Sequence, residues 1–178
     1  MVKKLTFSKV RQKLGLSKVR PPVFVKVSGD LFYRPDVIEW IRKLAAEYYV
    51  VILVGGGTQI NEAFEEAGFE VGEHGPLGRE TKNLEEKQLA RDILEVNKDV
   101  LQDLLALRGI SAYVEKPVWE VAGVLCHINA DIFTLAVYHG FDKLFVLTLE
   151  SRVQAKKLEL ERYPKIEVVG FPEEFDGE

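Results

Sequence analysis

Tyr49–Val54 reads YVVILV, apolar throughout, and three glycines follow directly at Gly55, Gly56 and Gly57. A strand with one wet face alternates apolar and polar residues. A strand with no alternation has both faces covered, the condition of a parallel sheet held between two helix layers. The rest of the chain agrees. Strand-like runs at 23–28, 110–114, 121–126, 144–148 and 166–169 alternate with helix-like segments. Pro35 and Asp36 suit a first helical turn, and Val37, Trp40, Ile41, Leu44 and Ala45 repeat at helical spacing after them. A helix is expected over 58–67, with Gly68 as its C-cap. Asn83 with Glu86 resembles a capping box at the head of a long helix that Gly109 stops. Further helices are expected over 132–139, closed by Gly140, and over 151–163. The alternation predicts an α/β fold, a three-layer αβα sandwich with a mostly parallel central sheet.

At 178 residues the chain has the length of one domain and can bury a core without disulfides or metal. Its net charge of −4 hides an asymmetry. Residues 1–20 carry Lys3, Lys4, Lys9, Arg11, Lys13, Lys18 and Arg20 and no acid, which leaves a strongly acidic body. The organisation expected is a basic N-terminal arm over 1–22, ended by Pro21-Pro22, and a single domain over 23–178. Leu5, Val10 and Leu14 would let the arm form a short amphipathic helix against a partner subunit; a frayed surface arm is the alternative. The acidic body and the lack of a base-reading motif argue against nucleic acid as a partner. Cys126 is the sole cysteine, so no internal disulfide can form, which fits a cytoplasmic location. No apolar run reaches the roughly 18 residues of a membrane-spanning helix, and the basic N-terminus lacks the apolar segment of a signal peptide.

Three features carry chemistry. Lys26 sits inside the apolar strand VFVKVSG, where a lysine is costly unless an anion offsets it. Strand alternation puts Lys26 and Ser28 on one face, and Gly29 lets a ligand approach the backbone. Alone, Lys26 reads more simply as an edge-strand lysine in solvent. Gly55, Gly56 and Gly57 lie between a buried strand and a helix, where exposed N–H groups favour a phosphate or carboxylate. A glycine triplet is also a common tight turn. The third feature is His127-Ile128-Asn129-Ala130-Asp131, in which extended backbone would place His127, Asn129 and Asp131 on one side, with Asp131 capping the following helix. His127 has no Cys/His cluster around it, so no zinc or other metal site is expected.

In order along the chain, these segments resemble the amino-acid-kinase (carbamate-kinase-like) family, and within it acetylglutamate kinase most closely. Lys26-Val27-Ser28-Gly29 resembles the family's K-x-G-G segment, and Gly55-Gly56-Gly57-Thr58-Gln59-Ile60-Asn61 is similar to its G-G-G-P-Q-I-N. Gly78-Arg79-Glu80-Thr81 resembles the G-x-R-x-T loop and Val96-Asn97-Lys98 its V-N-K. His127-Ile128-Asn129-Ala130-Asp131 resembles N-I-N-A-D, with His127 in place of the first asparagine, and the strand ending at Thr148 resembles G-A-D-x-L-I-L-L-T. Where the family continues D-x-x-G-V into a long nucleotide lobe, this sequence reads Leu149-Glu150-Ser151-Arg152-Val153, so the resemblance implies a shortened C-terminal nucleotide lobe.

The resemblance implies phosphoryl transfer from ATP, accompanied by Mg²⁺, to a carboxylate or phosphate acceptor such as an amino-acid derivative. Lys26 and Asp131 would be catalytic, Lys26 on the transferring oxygens and Asp131 orienting it. Gly55, Gly56, Gly57, Arg79, His127 and Asn129 would hold the acceptor, Arg79 by its carboxylate, and Ser28, Gly29 and Thr148 would lie on the ATP side. The family's second catalytic lysine belongs to the segment that is shortened here. Lys156 and Lys157 are nearby candidates that no motif aligns, and both also read as solvent lysines. A non-catalytic binding or regulatory protein that keeps the acceptor pocket is the alternative function. The family association implies a homo-oligomer, for which Leu94, Leu101 and Leu105 offer an apolar helix face.

Overall fold

The computed structural model describes residues 20–72, 74–75 and 77–174. The basic arm up to residue 19, with its expected helix, lies outside the described residues. The core is a five-stranded sheet built from β1 (Pro22–Val27), β2 (Tyr49–Val54), β5 (Ala112–Glu115), β8 (Lys143–Leu149) and β9 (Ile166–Phe171), in the order β5-β2-β1-β8-β9. Every pairing is parallel. Helix α1 (Pro35–Glu47) joins β1 to β2. Helices α2 (Gly57–Glu66) and α3 (Leu84–Leu107) follow β2, separated by a small antiparallel ribbon of β3 (His74–Gly75) and β4 (Gly78–Arg79). An antiparallel hairpin of β6 (Val118–Val121) and β7 (Val124–His127) precedes α4 (Ala130–Ala136), and α5 (Val153–Leu160) joins β8 to β9.

Helices cover both faces of the sheet, as the unbroken apolar strand requires. Val23, Val25, Val27, Val50 and Ile52 pack under Val37, Ile38 and Ile41 of α1 and Leu101 and Leu105 of α3. On the other face Phe24, Leu53 and Leu144 meet Phe133 of α4. Each fully buried Val, Leu, Ile or Phe is worth about 1.5–3 kcal/mol. Leu94, Leu101 and Leu105, the face considered for subunit contact, are thus core residues of this chain. Lys26 lies in β1, the middle strand, which removes the reading of an edge lysine in solvent.

Two local expectations are corrected. The run 121–126 is a hairpin rather than one strand, because the chain reverses at Ala122 and Gly123 with φ of 50° and 80°. A two-residue turn of type I′ needs positive φ at both central residues, and Ala-Gly lacks the Asn-Gly or Asp-Gly signature that announces one. The helix expected over 132–139 begins earlier, at Ala130, and Asn129 caps it by accepting from the N–H groups of Asp131 (2.8 Å) and Ile132 (3.3 Å). Asp131 therefore sits inside the first turn, with its carboxylate released for other work.

Edge strand β5 is closed by a side chain. The Gln102 amide donates to the Ala112 carbonyl (3.1 Å) and accepts from the Val114 N–H (2.9 Å), as one residue of a further parallel strand would. An open edge templates association with other chains. Gln102→Ala should therefore raise self-association, read by equilibrium sedimentation against the parent chain. An unchanged mass distribution would show that the amide does not guard this edge.

Candidate functional site

The C-terminal ends of β1 and β2, the head of α2, the β3–β4 ribbon and the 127–131 segment surround a cleft of about 220 Å³. Of the residues expected from the sequence, Lys26, Ser28, Gly29, Gly55, Gly56, Gly57, Arg79, His127, Asn129 and Asp131 all line it. Thr148 does not. It is buried within β8, two residues past Val146, the partner of Lys26 in the sheet.

The floor is a chain of charge. Lys26 Nζ lies 3.3 Å from Asp131 Oδ1 and donates to Ser28 Oγ at 3.3 Å, and Ser28 Oγ donates to the Leu147 carbonyl at 3.1 Å. The other Asp131 oxygen accepts from Lys156 Nζ at 2.7 Å, and Lys156 also reaches Glu159 at 2.7 Å. Lys156, readable in the sequence as a solvent lysine, thus completes a Lys26–Asp131–Lys156 array. Burial pushes the Lys26 amine below the ordinary lysine range, against the pull of Asp131. Burial alone would raise the Asp131 carboxyl, but Lys26 and Lys156 outweigh it and hold it below the usual aspartate range. For Lys156 burial acts downward, and its bonds to Asp131 and Glu159 lift it above the ordinary value. At neutral pH the array therefore holds an ionised aspartate against the cationic Lys156, with the buried Lys26 amine on its other oxygen.

The wall opposite is backbone. Gly56 caps α2, a helix whose first N–H groups have no intrahelical partner, and the positive end of its dipole opens on the cleft. The three glycines are not equivalent. A Cβ on Gly56 would come 2.8 Å from Leu94 Cδ2 and 2.9 Å from Asn97 Nδ2, so this glycine is set by packing against α3. Asn97, buried, donates to the Gly55 carbonyl at 3.2 Å and pins the turn. A Cβ on Gly57 would meet nothing within 4 Å. Gly56→Ala should destabilise the fold by about 1–3 kcal/mol, as overpacking does. Gly57→Ala should leave stability unchanged or slightly raised, since alanine is the better helix former. Thermal melts of the two variants decide this, and equal losses would refute the division.

Arg79 reaches the cleft from β4. It donates to the Gly57 carbonyl at 3.3 Å, bonds Asn61 Oδ1, and lies over the Phe64 ring at 5.3 Å. The ribbon that carries it is docked on the 127–131 segment, where Asn129 N donates to the Leu77 carbonyl at 2.8 Å. Gly78, at φ of 137°, leaves no room for a side chain against Asn129 N, 2.8 Å from the position of a Cβ. Asn129 lines the cleft and spends its side-chain oxygen on the α4 cap. His127 Nε2 lies 2.9 Å from the Lys87 carbonyl, so that nitrogen carries the proton and Nδ1 holds the lone pair. Burial holds the imidazole below its ordinary range, with the Lys87 carbonyl acting in the opposite sense.

Sequence reasoning gave no role to Asp30 and Arg152, which also line the cleft. Asp30 accepts from Thr58 Oγ1 at 2.7 Å and pairs with Arg152 at 3.4 Å. Their only signal was position, one residue past Gly29 and four past Thr148. The cleft and its floor thus gather Lys26, Arg79, Arg152 and Lys156 around Asp30 and Asp131, a local excess of positive charge on a chain of net −4. Such a site is suited to a small polyanion. Among the described residues no group of three His, Cys, Asp or Glu side chains could hold a metal ion. No helix among them is long and apolar enough to cross a membrane. No protein-family model matches the chain, and no curated protein matches it.

Proposed function

We propose that this chain is a small-molecule kinase of the amino-acid-kinase type, moving the terminal phosphoryl group of Mg·ATP to a carboxylate or phosphate acceptor in the cleft. The observation that carries this reading is the Lys26–Asp131–Lys156 array facing the glycine-lined head of α2. Phosphoryl transfer asks little covalent work of a protein. It needs the reactants held in line and the charge on the equatorial oxygens neutralised. Lys26 and Lys156 supply two amines on one carboxylate, so their spacing is held before substrate arrives, as electrostatic preorganisation requires. The N–H groups of α2 and the Arg79 fork hold the acceptor's anionic end. Magnesium would arrive on the nucleotide phosphates, the usual mode for an ion that keeps its water.

A non-catalytic acceptor-binding protein is the second reading. The cleft's volume favours it, since about 220 Å³ lies below the roughly 300–1,000 Å³ of pockets that enclose larger ligands. The test is calorimetric titration with Mg·ATP, paired with an assay for ATP-dependent phosphorylation of small mono- and dicarboxylates and phosphate monoesters. Binding that weakens at least tenfold in Lys26→Ala, with turnover of an acceptor, is the expected result. Acceptor binding without any ATP binding by the folded protein would move the assignment to the second reading. The same family-based reading implies a homo-oligomer in the cytoplasm, which sedimentation and fractionation would check.

A further inference from the structure

The strand order reverses between β1 and β8. The chain leaves β1 toward β2 and β5, returns to β8 on the opposite flank, and goes on to β9. Segments leaving β1 and β8 therefore diverge, and a crevice opens between their C-terminal ends, where open parallel sheets bind ligands. A second cavity, of about 470 Å³, occupies this place. It is formed by Asp30, Tyr33, Arg34 and Pro35 after β1, Leu149 at the end of β8 and Glu173 after β9. Asp30 walls both cavities, and Arg152, which lines the first, pairs with it at 3.4 Å. The two spaces are therefore neighbours across one ion pair.

The second cavity differs in chemistry from the first. Tyr33 packs edge-to-face on Phe32, with ring centroids 5.3 Å apart, yet is 58% exposed. Tyr33, Pro35 and Leu149 line the groove and give it an apolar slot. The wall behind is rigid, because Arg34 makes a two-pronged bond to Asp36 (3.1 and 2.6 Å) and donates to the Pro172 carbonyl at 2.5 Å. Glu173 is fixed by accepting from Ser151 N at 3.1 Å and adds a hydrogen-bond acceptor at the rim. A slot with one aromatic platform and one acidic acceptor, next to a cluster of lysine and arginine, matches a flat heteroaromatic base with a hydroxylated sugar joined to phosphates.

We propose that this groove is the nucleoside subsite of the nucleoside triphosphate whose phosphates lie on Lys26, Lys156 and the head of α2. The assignment rests on the phosphoryl-transfer reading above. The base stacks on Tyr33 against Pro35 and Leu149, Glu173 accepts from a sugar hydroxyl or a ring N–H, and Arg152 spans the junction toward the phosphates. Together the two cavities offer the length that the cleft lacks by itself.

The test compares Mg·ATP with magnesium tripolyphosphate, which carries the phosphates without the nucleoside, by calorimetric titration of the intact chain. Mg·ATP should bind tighter than tripolyphosphate. Tyr33→Ala should weaken Mg·ATP about tenfold, in line with loss of one base–aromatic stack, and leave tripolyphosphate unchanged, while Tyr33→Phe should retain the parent affinity. Tripolyphosphate binding that depends on Lys26, with Mg·ATP no tighter or with Tyr33→Ala weakening both alike, would overturn the groove assignment alone. Failure of tripolyphosphate to bind, or binding indifferent to Lys26→Ala, would overturn the phosphate reading and the groove with it.

Discussion

Asp131→Ala is expected to cost about 3–5 kcal/mol of stability, the figure for removing one partner of a buried ion pair. For a chain of this length that lowers the melting temperature by roughly 10 °C. Asp131 and Lys26 are 8% and 7% exposed, so little water is at hand to replace the carboxylate. Without Asp131, Lys26 keeps only the Ser28 hydroxyl at 3.3 Å, whereas Lys156 keeps Glu159 at 2.7 Å. The loss therefore falls mainly on Lys26. Burial already lowers the Lys26 pKa, so loss of its proton offers partial escape, and the lower end of the range is the better expectation.

The pH dependence has a definite sign. The folded-state pKa of Asp131 is depressed, so its contribution is present above its unfolded value and lost as pH falls through the folded value. The Lys156 pKa is raised, so its contribution is full below its unfolded value and lost as pH rises through the folded value. Between those limits the pair contributes fully. The gap in stability between the parent and Asp131→Ala should be widest near neutrality and close as the solution is acidified below the ordinary aspartate range. Urea unfolding of both proteins across that range measures it, and a gap that stays constant in acid would remove Asp131 from this role.

The second large effect is on rate. Lys156→Met and Lys26→Met should each lower phosphoryl transfer by about 10²–10³-fold, as loss of one donor to developing negative charge does elsewhere. Stability should behave differently at the two positions. Lys26 is a desolvated amine in the middle strand, and an apolar replacement of similar volume there should leave stability unchanged or raise it, since Asp131 retains Lys156. Lys156→Met leaves Asp131 with Lys26 alone and should destabilise modestly. A Lys26→Met protein that melts no lower than the parent yet transfers no phosphate would separate function from folding at this residue. Turnover at the parental rate in either variant would mean the array is structural.

The fold class was legible because it depends on local pattern. YVVILV can satisfy its apolar side chains only between two layers, and the spacing of Val37, Ile41, Leu44 and Ala45 selects a helix before any partner is known. The stop at Gly109, with φ of 67°, and the Asn83 cap, accepting from Glu86 N at 2.8 Å, were readable for the same reason. The Ala122-Gly123 reversal was not, because alanine at positive φ carries no sequence signal and is imposed by the pairing of β6 with β7.

The site divides along the same line. Lys26 and the three glycines could be singled out in the sequence because each is locally conspicuous, a lysine in an apolar strand and glycines between a strand and a helix, and Asp131 because it shares one side of the His127–Asp131 segment with two other polar residues. Lys156, Arg152 and Asp30 are not conspicuous, since charged residues on a short helix or in a loop are ordinary. Only the parallel crossing of β8 beside β1 brings α5 under Asp131 and turns one surface lysine into the second amine on that carboxylate. Likewise the capping of α4 by the side-chain oxygen of Asn129 is set by the backbone around it. Local pattern decides which residues are costly where they stand, because that cost depends on a residue and its near neighbours. Which charges meet, and which glycine is packed rather than open, depends on residues far apart in the chain, and the tertiary structure alone decides it.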